Sequence, residues 1–88
     1  MEQTVQRADA KRLIADEGLE GAVWFERGTN KTNAVAIYEV DAGFRVVSTD
    51  ERAAEIGPRE YSDESEALTM YVTLLRDRKE LVASGVIT

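Results

Sequence analysis

The sequence predicts an α+β domain: an antiparallel three- to four-stranded meander with N- and C-terminal helices packed on one face, in the order αβββ(β)α. Three observations carry this expectation. Apolar residues recur at helical spacing near both ends, β-branched and aromatic runs fill the middle, and glycine-bearing turns separate those runs. The 88 residues make one domain, which buries about 60% of the surface its unfolded chain exposes, so there is room for a single modest core.

The first helix is expected over 4–17 and is best founded from Arg7 to Glu17. Val5, Ala8, Leu13 and Ile14 form a narrow stripe, no proline intervenes, and Gly18 supplies the stop. Ala22-Val23-Trp24-Phe25-Glu26 has strand composition, and residues 27–33 read as a polar turn. Ala34-Val35-Ala36-Ile37-Tyr38-Glu39-Val40 is the clearest strand. Asp41-Ala42-Gly43 joins it to Phe44-Arg45-Val46-Val47-Ser48-Thr49 as a hairpin, with glycine providing the unusual dihedral. Residues 50–59 are charged and contain the breaker pair Gly57-Pro58, while Arg59-Glu60-Tyr61 suits a short edge strand. The second helix opens at Ser62-Asp63-Glu64-Ser65-Glu66, where Asp63 and Glu66 have the spacing of a reciprocal cap. Ala67, Leu68, Tyr71, Val72, Leu74 and Leu75 then recur at steps of three and four. The helix can continue to Gly85, leaving Val86-Ile87-Thr88 as a loose or docked tail.

Composition narrows the chemistry. With no histidine and no cysteine there is no imidazole base, thiolate, disulfide or Cys/His zinc site. Adjacent carboxylates remain, but no phosphate loop, calcium loop or nucleotide fingerprint accompanies them, so the expectation is a non-enzyme without cofactor or metal. No signal-like or membrane-spanning run occurs, and a cysteine-free chain suits a bacterial cytoplasm.

The net charge of −6 is unevenly spread. Between Asp50 and Glu66 stand seven acids (Asp50, Glu51, Glu55, Glu60, Asp63, Glu64 and Glu66) against Arg52 and Arg59, a net of −5. Such a run is either a solvated loop and helix cap or a patch that steers a basic partner. Parity within the strands separates Trp24 from Val23 and Phe25, and Tyr38 from Val35 and Ile37. If Val35 and Ile37 face the helices, Trp24 and Tyr38 fall on the helix-free face, either as partner contacts or as cover for a thin core.

The element order is that of the double-stranded-RNA-binding domain, but that family's second helix begins with lysines, whereas this one begins with acids; direct nucleic-acid binding is not expected. Three segments carry another likeness: residues 33–39 (Asn-Ala-Val-Ala-Ile-Tyr-Glu), 43–52 (Gly-Phe-Arg-Val-Val-Ser-Thr-Asp-Glu-Arg) and 61–68 (Tyr-Ser-Asp-Glu-Ser-Glu-Ala-Leu). They resemble the small immunity proteins of bacterial polymorphic toxin systems, in particular immunity protein family 59. Residues 53–58 form a longer link than that family's turn. The resemblance implies stoichiometric neutralisation of a cognate toxin, of which a nuclease with a basic surface is one suitable class. Asp50, Glu51, Glu55, Glu60, Asp63 and Glu64 would meet that surface, and Trp24, Tyr38 and Tyr61 would anchor it. The expected state is a monomer or weak homodimer away from membranes. Two other readings stay open: an acidic nucleic-acid mimic or regulatory adaptor of phage or mobile-element origin, and a structural domain that dimerises through its sheet.

Overall fold

The computed structural model describes residues 5–26 and 31–85. The expected helix start at Thr4, part of the polar turn (27–30) and the tail at 86–88 lie outside them. The elements are α1 (Arg7–Glu17), β1 (Ala22–Trp24), β2 (Val35–Val40), β3 (Gly43–Thr49), β4 (Glu55–Tyr61) and α2 (Glu64–Ala83). They form one four-stranded sheet in the order β1-β2-β3-β4.

Each helix is bounded by identifiable chemistry. Gln6 and Asp9 close a reciprocal cap at the start of α1, and Gly18, at φ 61°, ends it in the left-handed conformation. Asp63 caps α2 by accepting the Ser65 N–H at 2.8 Å; no reciprocal bond from Glu66 accompanies it. The helices lie side by side and run the same way: Arg7 meets Glu64 at one end, and Arg76 meets Glu17 at the other.

The β2–β3 hairpin and β4 are antiparallel as expected, but β1 runs parallel to β2. A parallel neighbour requires the chain to travel back before re-entering the sheet. Because β1 is only three residues long, the ten residues 25–34 suffice, with Phe25 (φ 51°) and Asn33 (φ 48°) turning the chain out of one strand and into the next. The expected strand through Glu26 therefore stops at Trp24.

This register overturns the placement of Trp24. It stands beside Ile37, on the face that packs against the helices, and its ring lies 6.0 Å from that of Tyr71 on α2. The expected alternation holds for Val23 and Trp24 but not for Phe25, which turns out of the strand at φ 51° and packs on the helix side with Trp24. The phase of β1 relative to β2 is set by the register of their pairing. The main core joins Val35, Ile37 and Val46 to Ala10, Leu19, Leu68, Tyr71, Val72 and Leu75. The Tyr71 hydroxyl donates to the Val23 carbonyl at 3.0 Å, and burial pushes that hydroxyl's pKa well above its ordinary value. A second cluster, Val23, Ala34, Ala36, Tyr38 and Val47, occupies the helix-free face. The molecule measures 36 × 28 × 17 Å, a thickness suited to two layers.

Gly57-Pro58 does not break β4. Ile56 pairs with Ser48 and Arg59 with Val46, so two residues of β4 oppose Val47 alone. This is a β-bulge, with Gly57 at φ 57° accommodating the extra residue and Pro58 tolerated because β4 is an edge strand. The short edge strand expected at 59–61 is thus the second half of a seven-residue strand.

Candidate functional site: the β4 flank

As the sheet's outer strand, β4 lays the acidic run 50–66 along one side of the molecule. Residues 55–60 are all exposed. The turn before β4 carries Asp50 and Glu51; after it come Asp63, the cap of α2, and Glu64, its first residue. A seven-residue strand is about 23 Å long, so these two acidic groups stand at opposite ends of the sheet.

Several acids are committed to local structure. Asp50 accepts the Arg52 N–H at 2.8 Å and the Ala54 N–H at 3.0 Å, folding the turn into β4; the bonds from Ala54 and then Arg52 hold its carboxyl below the usual range. Glu51 is exposed beside it. Asp63 is the α2 cap. Glu64 accepts from Arg7 Nε at 2.7 Å, and the same guanidinium reaches Glu39 at 3.2 Å, which raises the arginine's pKa. The sheet register also brings Glu39 and Asp41 of the β2–β3 hairpin to the end occupied by Asp63 and Glu64.

The middle of the flank is a side-chain network on the helix-free face. Tyr38, Arg45 and Glu60 stand in one row across β2, β3 and β4. Arg45 Nε donates to Glu60 at 3.1 Å, and the Tyr38 hydroxyl donates to Glu55 at 3.0 Å. The arginine's carbon lies 5.9 Å from the Tyr38 ring centroid, and its pKa is raised by Glu60 first and Tyr38 second. Tyr38 therefore lies on the expected face, but at 6% exposure it supports the network and offers little ring surface to a partner. Tyr61, opposite Phe44, packs half-buried against the helix-side core.

Thus Tyr38, Glu55 and Glu60 come together, Asp50 with Glu51 and Asp63 with Glu64 flank them at the two ends, and Trp24 is remote from the group. Sequence reading missed Arg45, although strand alternation places it beside Tyr38 once the hairpin register is known. It also missed Ile56, hidden in a charged segment next to a breaker pair, which stands 49% exposed on β4. Among the described residues no cluster of acids has the arrangement of a metal site, and no helix is long and apolar enough to cross a membrane.

No family model, curated protein or solved structure matches this chain.

Proposed function

We propose that the protein is an immunity protein of a bacterial polymorphic toxin system, acting in the cytoplasm by stoichiometric binding through the β4 flank, with neither catalysis nor a cofactor. The observation that carries this reading is the exposed edge strand with a net charge of −5 gathered along and around it. Such a surface accelerates encounter with a basic partner such as a nuclease's phosphate-binding face, and it disfavours nucleic acid and anionic membrane. The bulge and Pro58 interrupt the edge, so the partner meets side chains instead of adding a strand. The resemblance noted above falls on β2, on β3 with its following turn, and on the end of β4 with the start of α2.

Phosphate mimicry gains less support. It needs carboxylates in a regular row, whereas here Asp50 and Asp63 are turned onto backbone amides and the acids divide between the ends of the sheet and its helix-free face.

Capture from the native host with the tagged full-length chain, followed by mass spectrometry, tests the reading. The expected product is a toxin-like protein in equimolar amount, whose toxicity the chain suppresses. Recovery of no such protein overturns it. With that toxin in hand, Glu55→Lys combined with Glu60→Lys should slow association at least tenfold at low salt and flatten its salt dependence. Unchanged rates would remove these acids from the interface.

A further inference from the structure

A groove opens between the sheet and the second half of α2. Val35, Ser48 and Ile56 form one row across β2, β3 and β4, and Leu74 and Leu81, seven residues apart on α2, also line the space. The cavity is about 390 Å³, within the range of sites that accept a ligand or an anchoring side chain. Its lining is mainly apolar. Ile56 and Leu81 are two of the three large apolar residues exposed among the described ones, at 49% and 42%. Isolated exposed aliphatics are ordinary; two that line the same groove offer a place for an apolar side chain to bury both.

The charge around this groove is negative. Asp50 and Asp77 line it against Arg78, a net of −1, and exposed Glu51 follows Asp50 in the sequence. The Arg78 guanidinium donates to the Asn33 carbonyl and packs against Gly21. Neither aspartate forms an ion pair among the described residues, and the Asp50 carboxylate also accepts from the Arg52 and Ala54 amides.

We infer that this groove is the anchor site of the β4 flank, and that it takes a leucine-like side chain from a partner segment flanked by lysine or arginine. An amphipathic basic helix satisfies both halves of this requirement: apolar residues at steps of three and four reach Ile56 and Leu81, while cations meet Asp50 and Asp77. The inference rests on reading the chain as a protein-binding module, and it adds a specific anchor to the electrostatic surface.

The test uses the full chain with labelled methyl groups and two synthetic 18-residue helical peptides, one with leucines on one face and lysines on the other, the second with glutamate replacing lysine. The leucine–lysine peptide should shift the Ile56, Leu74 and Leu81 methyl resonances and leave Val40, at the opposite end of the sheet, unmoved. Ile56→Ser and, separately, Leu81→Ser should each weaken binding about tenfold with the thermal midpoint little changed. Asp77→Asn should reduce the salt dependence. Equal binding of the glutamate peptide, shifts centred on Val40, or wild-type affinity in both serine variants overturns the inference. So does a shift of the same methyls with protein concentration alone, which would make a second copy the occupant. If the host toxin is captured and neutralised but the groove stays silent, the groove fails while the immunity reading stands; a responsive groove with no toxin recovered gives the reverse.

Discussion

Gly43 and Gly57 both adopt positive φ, but for different reasons, and substitution separates them. At Gly43 (φ 145°) a Cβ would collide with the Tyr61 carbonyl oxygen and lie 2.9 Å from the Ser62 Cα. Those are backbone atoms at the junction of β4 and α2, and they cannot swing aside as a side chain would. Gly43→Ala should therefore cost about 3 kcal/mol or more, combining overpacking with backbone strain. At Gly57 (φ 57°) nothing lies within 4 Å of the added carbon, so only the left-handed conformation is penalised, and Gly57→Ala should cost about 1 kcal/mol. Denaturant melts of the two variants check this order; equal losses would refute the contact at Gly43. Tyr71→Phe removes a different kind of support. The ring keeps its packing but no longer donates to the Val23 carbonyl, a loss of about 1–2 kcal/mol. Because that carbonyl belongs to β1, hydrogen exchange should accelerate there before it does in the β2–β3 hairpin.

Among the elements, the legible ones were those whose signals are local. Gly18 and Asp63 bound the helices through their own backbone and side-chain chemistry, and the Asp41-Ala42-Gly43 link sets the β2–β3 register. The pairing of β1 is not local: Ala22-Val23-Trp24 has the same alternation in either direction and in any register, and the register decides whether Trp24 lies beside Ile37 or on the opposite face. The acidic side chains were legible as a run, but not the commitment of Asp50 and Asp63 to backbone amides. Arg45 escaped notice because its role depends on two other strands. Nor was β4 visible whole, since Gly57-Pro58 reads as a break in one dimension and becomes a bulge only opposite Val47. That bulge predicts a behaviour. Deleting Gly57 and replacing Pro58→Val leaves one residue opposite Val47, restores the missing donor and straightens the edge. The variant should associate with itself, its sedimentation coefficient rising with concentration while the wild type's stays constant. A variant that remains monomeric would show that the flanking charges alone protect this edge.

On the scale of the whole molecule, the same acids that suit a basic partner also tie the layers together. Glu64 and Glu39 hold Arg7 at one end, Glu60 holds Arg45 on the sheet, and Glu17 accepts from Arg76 Nε at 2.9 Å between the helices. Arg76 holds the Glu17 carboxyl below its ordinary value, as the Ala54 and Arg52 amides do for Asp50. A carboxylate whose folded pKa lies below its unfolded one contributes stability that is fully present above the unfolded value and disappears as pH falls through the folded one. Both groups therefore place the loss on the acid side of about pH 4, where unfolded carboxylates begin to bind protons. With no histidine, no imidazole titrates between pH 5 and 8. Urea midpoints should stay nearly level from pH 8 to 5 and decline below about 4. Glu17→Gln, which cannot take part in the acid transition, should make the decline shallower, while Glu20→Gln, at an exposed position outside these ion pairs, should leave its slope unchanged. A midpoint already falling between pH 7 and 5 would show that groups other than these two carboxylates control the folded state.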